Sequence, residues 1–272
     1  RWSVSALIPY IDIDRSSLYE HYGNPTPNNP TINPRFHTQA RGLGDVRLSA
    51  YFAAIQKKKI YLSLGLGVKL PTGNYETKDH FHRKNSEGQD SLVYRVVDQS
   101  IQLGDGGFGV SLEFDAAYNF NHWFSAYATG LYLSNPRNTN GVLRSANLTD
   151  NITKSNEFSV VDQFVLRFGA RFNVKRFQLA AGIRYEGIPS EDLIGKSEGF
   201  RRPGYIVSFE PSVVYTTGKH TFGVNLPIAL YRNRVQNTID KERTKISGNY
   251  TIGDAAFADW LLSVTYAYRL TR

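Results

Sequence analysis

The chain of 272 residues has no cysteine and no methionine. Without cysteine it forms no disulfide and offers no thiolate, whether as nucleophile or as metal ligand. Without methionine it also lacks an initiator, so the numbered chain is expected to start after processing or truncation, and export must be inferred from fold class because no signal peptide is visible. No apolar run approaches the roughly 18 residues of a membrane-spanning helix, and no segment of useful length carries an apolar stripe of helical period. A helical membrane protein is thereby excluded. A mean hydropathy of −0.38 leaves a membrane β-barrel open, since lumen and loops are polar in such proteins. No basic helix or basic–aromatic motif is present, so no nucleic-acid partner is expected. Catalytic signals are equally thin. There is no GxSxG; Asp79, His80 and His82 read as one solvated loop cluster, and His122 and His220 fall in short turns at the opposite end. The expectation is no catalytic centre, no metal and no cofactor.

What the chain does have is alternation. From Ile60 to Leu70 the residues Ile60, Leu62, Leu64, Leu66, Val68 and Leu70 occupy every second place, with Tyr61, Ser63, Gly65, Gly67 and Lys69 between them. A period of two marks a strand with one apolar face, because successive side chains point to opposite sides. Its length is nearer the roughly 9–11 residues of a tilted membrane-crossing strand than the roughly 5–6 of a soluble one. Similar strands are expected at Trp2–Tyr10, Asp45–Ala54, Phe108–Phe120, Trp123–Leu133, Phe158–Phe172, Phe177–Tyr185, Tyr205–Tyr215, Phe222–Leu230 and Trp260–Leu270. Two of these are irregular: Trp123–Leu133 is apolar on both faces, and Asp162 interrupts the apolar side of Phe158–Phe172.

The connections alternate between long and short. Long polar loops are expected near 13–41, 73–99, 135–157, 189–204 and 232–257, the first rich in Asn and Pro and neither helix nor strand. This rhythm predicts a single all-β domain over residues 1–272. The expected architecture is a transmembrane antiparallel up-and-down barrel of about ten strands, or about twelve if strands precede residue 1. It would sit in a bacterial outer membrane, among its lipids and lipopolysaccharide, with long loops outside and both termini periplasmic. A soluble sandwich or lipocalin-like barrel would place apolar side chains inside and has no reason for long loops at one end only. Trp2, Tyr10, Tyr118, Phe120, Trp260 and Tyr268 fall near strand ends, where a membrane girdle places amphipathic rings.

With the apolar parity turned to lipid, the other parity lines the lumen: Asp45, Arg47, Lys69, Glu113, Asp115, Arg167, Arg171, Arg184, Glu186, Glu210 and Arg269. The two signs nearly balance, which favours paired charges filling a narrow interior over a single-sign ring. Lys69 is expected near the outer mouth, paired with Glu113 or Asp115. The short turns carry Lys57, Lys58, Lys59, Lys175, Arg176 and Lys219 and no acid, which suits solvated turns beside an anionic lipid surface.

A small repeat, Leu43-Gly44-Asp45, Leu103-Gly104-Asp105 and Ile252-Gly253-Asp254, precedes or opens strands that follow long loops. It reads either as loop-to-strand turns or as an outer-rim set of carboxylates, Asp45, Asp105 and Asp254, meeting a solute or cation.

The stretches GLGDVRLSAYF (42–52), GLGVKLPTGNY (65–75), QLGDGGFGVSLEF (102–114) and NLPIALYRN (225–233) resemble the family of outer-membrane β-barrel proteins named for the MetA pathway of phenol degradation. The matching positions are Gly44, Asp45, Pro71, Thr72, Gly73, Gly104 and Asp105, and the resemblance spans most of the chain. It implies a transporter-like barrel similar in outline to those that move hydrophobic or aromatic compounds. The Asn- and Pro-rich first loop departs from a simple pore. Asp90-Ser91-Leu92 also resembles the short O-glycan acceptor motif of Bacteroidota, a Gram-negative source. Two functions are therefore carried forward, with an outer-membrane hydrolase as a third reading behind them. One is a narrow channel or transporter for small hydrophobic or aromatic molecules. The other is a non-conducting subunit of a larger outer-membrane assembly, holding protein partners through its loops or lipid face.

Overall fold

A computed structural model describes residues 1–17, 20–22, 35–145, 151–253, 255 and 257–271. The first half of the chain forms β1 (Trp2–Leu7), β2 (Tyr10–Ser17), β3 (Phe36–Leu43), β4 (Val46–Gln56), β5 (Ile60–Leu70), β6 (Lys78–Lys84), β7 (Asp90–Val96), β8 (Gly109–Asn119) and β9 (Phe124–Ser134). There follow β10 (Thr139–Leu143), β11 (Glu157–Ser159), β12 (Gln163–Val174), β13 (Phe177–Ile188), β14 (Gly204–Thr217), β15 (His220–Asn225), β16 (Ile228–Arg234), the helix α1 (Thr238–Ser247) and β17 (Ser263–Tyr268). One antiparallel sheet of eleven strands dominates, in the order β1-β4-β5-β8-β9-β12-β13-β14-β15-β17, with β16 also on β14. Neighbours in the sheet are neighbours in sequence once the loops are removed, the meander that an alternating pattern with short turns dictates. Among the described residues β1 and β17, at the two ends of this order, are not paired with each other.

The sheet wears its apolar side outward. On β5, Leu64 and Leu66 are 50% and 58% exposed, and Leu112 on β8 is 65% exposed. The opposite parity holds the buried positions Ser63, Lys69, Ser111, Ser208 and Glu210, none more than 6% exposed. This inverts the usual soluble arrangement, in which polar residues take the exposed face.

Several expected loops carry structure of their own. The stretch 13–41 is not all loop: Ile11 and Ile13 alternate with Asp12 and Asp14, and β2 pairs with β3 through Ile11 opposite Gly42 and Ile13 opposite Ala40. Their apolar face packs on a small core of Ala40, Phe81, Val97, Ile101 and Leu103 outside the sheet. Within 73–99, β6 and β7 form a second hairpin, and within 135–157 and just beyond it, β10 and β11 form a third. The stretch 232–257 holds α1, which has no broad apolar stripe. It is held at its ends: Asn237 and Asp240 form a reciprocal capping box, and Gly248 closes the C-terminus at φ 70°.

Four expected strands are also redrawn. Trp2–Tyr10 ends at Leu7 in β1, and Tyr10 opens β2 in a separate two-stranded sheet. Phe158–Phe172 divides into β11 and β12, because the chain turns at Asp162 and buries it, which accounts for its break in the alternation. Phe222–Leu230 divides into β15 and β16 at Leu226-Pro227, where proline has no N–H to give to the ladder. Trp260–Leu270 shortens to β17, with Trp260 making one isolated bridge to Ile228.

Candidate functional site

The strand ends at the loop side build the tightest cluster. Lys69, the last inward side chain of β5, is 5% exposed. Its ammonium bonds the carboxylate of Asp105 and lies 3.6 Å from that of Asp45. Asp45 in turn accepts hydrogen bonds from the backbone N–H groups of Gly73 (2.9 Å) and Asp105 (3.3 Å). Thr72 closes the knot, donating to the Gly44 carbonyl and accepting from the Val46 N–H, both at 2.9 Å. Two glycines are obligatory here: a Cβ on Gly73 would stand 2.4 Å from the Leu103 carbonyl oxygen, and one on Gly104 would stand 2.6 Å from the Asp45 carboxylate. Two of the repeated Leu-Gly-Asp units and Pro-Thr-Gly thus converge on one cation. The expected partners of Lys69, Glu113 and Asp115, are not the ones it takes. Asp254 lies outside the described residues.

Lower on the same inward face, Glu113 receives three hydroxyl donors, from Tyr51 (2.7 Å), Ser111 (2.8 Å) and Ser49 (3.0 Å). The space for this cage comes from Gly65 and Gly67, where a Cβ would collide with Tyr51, Ser111 and Ser49. On the facing strands Arg184 bridges Glu186 and Glu210, and Arg167 Nε lies 3.5 Å from Glu210. Arg171 stands over the Tyr127 ring, 4.3 Å from its centroid. Arg47 and Asp115 face the interior with no ion-pair partner among the described residues. Arg269 lies just beyond β17, exposed at the short-turn end, where its backbone N–H bonds the Lys219 carbonyl.

Between the Lys69 knot and these charges lies a cavity of about 1090 Å³. Its walls include Arg47, Glu113, Asp115, Arg167, Arg184 and Glu186, and its loop-side cover includes Leu103, Val161 and Phe257. The lining reaches Thr129 on β9 but not Tyr127, and Arg167 on β12 but not Arg171. Tyr127 and Arg171 therefore lie below its floor. Sequence alternation missed Leu131 and Leu133, which point inward on β9 and line this cavity. The apolar character of both faces of β9 was their only trace.

Over the cavity the outer loops are fastened by a fully buried ion pair, Arg201 with Asp192. Arg201 also donates to the Ser159 hydroxyl at 2.6 Å, and Asn237 Nδ2 donates to its carbonyl at 2.7 Å. Asp162 completes the fastening, accepting from Tyr132 OH (2.8 Å), Asn135 N–H (2.6 Å) and Leu193 N–H (2.8 Å). Nearby, Arg202 grips Asp98 with two 2.8 Å hydrogen bonds. Burial alone would raise the Asp98 carboxyl, but the Arg202 guanidinium and the Ser100 donors bring it below the usual range.

The Asp79–His82 stretch belongs to the outer hairpins. Asp79 accepts from Gln39 N–H at 2.7 Å, and His82 stacks on Phe36 at 3.7 Å between centroids while its Nδ1 lies 2.8 Å from Asp90. His82 N–H donates to Nδ1 of the buried His21 at 3.1 Å, which requires that nitrogen to be unprotonated. Burial, followed by His82, Arg83 and Arg95, depresses His21 from 6.5 to about 4. A depressed histidine contributes stability that is complete above its unfolded value and is lost as pH falls toward the folded one. Protection factors of the amides in residues 36–43 and 78–96, which divide out the intrinsic slowing of exchange by acid, should therefore be high at pH 7.5 and fall measurably between pH 6.5 and 4.5. Unchanged protection over that window would contradict the assignment.

The fold and site define an all-β protein built on one large antiparallel sheet, with an apolar outer face and a polar, charge-bearing inner one. No protein-family model matches the chain, and a search of curated proteins finds no match to it.

Proposed function

We propose that this chain is a β-barrel of a bacterial outer membrane and a narrow channel or transporter for small, largely apolar molecules. The inverted surface, bounded by two aromatic belts, carries the reading. At the short-turn end, Phe120, Phe124 and Phe172 stack at 5.0 Å steps, Phe177 meets Tyr215 at 4.9 Å, and Phe222 meets Tyr266 at 5.2 Å. At the loop end, Phe164, Tyr185, Tyr205 and Tyr231 follow one another at 5.0, 5.2 and 6.0 Å. Phe164 and Phe172 are eight residues apart on β12, and Tyr205 and Tyr215 ten apart on β14. At roughly 3.3 Å per residue and a tilt of about 40°, the belts stand about 20–26 Å apart, the height of a barrel's apolar band. Cationic turns below the lower belt would face an anionic leaflet, placing the termini on the periplasmic side and the folded loops outside among lipopolysaccharide. The glycine-rich motifs that make the Lys69 knot are the ones on which the resemblance to the phenol-pathway family rests.

Leu66 lies in the middle of β5 and faces outward. Leu66→Lys is expected to cost about 2–4 kcal/mol in urea unfolding from liposomes, the range for a lysine at the bilayer midplane. A cost under about 0.5 kcal/mol, ordinary for a water-exposed site, would overturn the membrane reading. Transport is tested by liposome swelling and single-channel recording: solute passage or solute-dependent block is expected, and a tight seal with every solute would contradict it.

A second reading, a non-conducting subunit of a larger outer-membrane assembly, draws on the paired charges and on Tyr127, Arg171 and Glu210 filling the interior below the cavity. Purification from native membranes in mild detergent separates the two, because a lone monomer counts against the subunit.

A further inference from the structure

We propose that the turn end of β13, β14, β15 and β17 binds one anionic phospholipid, with its phosphate on Arg176 and Lys219 and its acyl chains along the outer face above them. This rests on the barrel reading and names a lipid partner for one sector of the rim, beyond a general attraction of basic turns to an anionic leaflet.

The argument starts from register on the outer face. Leu179, Val213, Val224 and Val264 stand in one row across these four strands, all exposed. The next row toward the turns is Phe177, Tyr215, Phe222 and Tyr266, and the last is Thr217, His220 and Tyr268. Rows lie two residues apart, roughly 7 Å along the strand, and four strands span roughly 14 Å. The turns Lys175-Arg176 and Gly218-Lys219 then close the series. Aliphatic, aromatic and cationic layers follow one another in the order that a phospholipid presents its chains, its ester zone and its phosphate.

A cation in a turn can lean over either side of the rim, and here the rings fix the side. Arg176 reaches the Tyr215 hydroxyl and lies 3.5 Å from that of Thr217. Lys219 Nζ stands 6.0 Å from the centroid of the Tyr268 ring, and His220 Nδ1 lies 3.0 Å from the Tyr266 hydroxyl. Tyr215, Thr217, Tyr266 and Tyr268 all belong to the outer parity. Both cations are thereby held on the side that meets lipid. Neither makes an ion pair among the described residues, and residues 173–180, 211–226 and 260–271 contain no Asp or Glu. An arriving anion therefore displaces no carboxylate. Phosphate oxygens accept charge-assisted hydrogen bonds from a guanidinium and an ammonium together, with the Thr217 hydroxyl as a neutral donor between them. The turn from β4 to β5 is the internal comparison. Lys57, Lys58 and Lys59 are exposed, with neither a ring nor an acid against them among the described residues, so it carries charge without a built seat.

The test is native mass spectrometry of the protein released from detergent micelles, titrated with phosphatidylglycerol, with phosphatidylcholine of the same chains, and with inorganic phosphate. The expected result is saturable retention of phosphatidylglycerol, about tenfold tighter than phosphatidylcholine, with no displacement by inorganic phosphate. Arg176→Gln combined with Lys219→Gln should abolish that preference. Lys58→Gln combined with Lys59→Gln removes the same charge from the other turn and should leave it intact. Equal affinity for the two lipids, equal losses in the two double variants, or displacement by inorganic phosphate would each overturn the proposal. The ranking of the two lipids on the unaltered protein needs no variant, so a misfolded double variant does not rescue it. Extraction separates the two readings. Protein that washes off phosphatidylglycerol vesicles in high salt sinks the barrel reading, whereas protein that stays inserted and shows no preference between the lipids sinks the lipid site alone.

Discussion

Lys69→Met should be among the most damaging single substitutions in the sheet, costing about 3–5 kcal/mol, because it removes one partner of a buried ionic group and leaves the others uncompensated. Asp45 and Asp105 are held from loop ends 24 and 36 residues away by one ammonium that is 6% exposed in its side chain. Without it the two carboxylates repel each other, and the Gly73 and Asp105 N–H groups that Asp45 satisfies are left in a loosened knot. Methionine has similar length but no charge, so the loss reports electrostatics more than volume. The measurement is reversible urea unfolding in detergent or liposomes. Adding Asp105→Asn to Lys69→Met should recover part of the loss, since the pair acts as a unit. A single-mutant cost under about 1 kcal/mol would show that the knot is ornamental.

Arg201→Met should be equally costly, about 3–5 kcal/mol by the same reasoning, but confined to the loops. Arg201 and Asp192 both have wholly buried side chains. The Asp192 carboxylate also accepts from the Asp162 N–H at 2.9 Å, so the pair joins the stretch before β12 to the stretch before β14. Hydrogen exchange should accelerate across 135–145, 151–161, 189–203 and 235–253, while β12, β13 and β14 keep their protection. Uniform loss across sheet and loops would mean that the cover and the sheet unfold together, and no loss would mean that water or rearrangement replaces the pair.

Much of the sheet was legible because a period of two survives tertiary detail: on β5, and from Gly109 to Leu112 on β8, residues that alternate in sequence alternate in exposure. The outer structure was harder to read for specific reasons. Prolines and asparagines in the first loop obscured the four-residue alternation Ile11-Asp12-Ile13-Asp14, and α1 had only its caps to announce it, Asn237 with Asp240 and Gly248. The partners of Lys69 were out of reach for a different reason. Asp45 and Asp105 sit just outside the strands, where ladder register no longer says which side chains meet. Leu131 and Leu133 look like ordinary strand residues until the register turns them inward, and the cavity they line has no local signature at all.

The central claim is that the apolar face of the sheet meets lipid. Spin labels placed singly at Leu62, Leu64, Leu66 and Val68, with Lys58 in the exposed short turn as the water-facing control, test it most directly in reconstituted bilayers. Collision with dissolved oxygen should dominate over collision with a water-soluble nickel complex at the four strand positions, and the order should reverse at Lys58. Nickel accessibility that is high at the leucines would place that face in water and contradict the account.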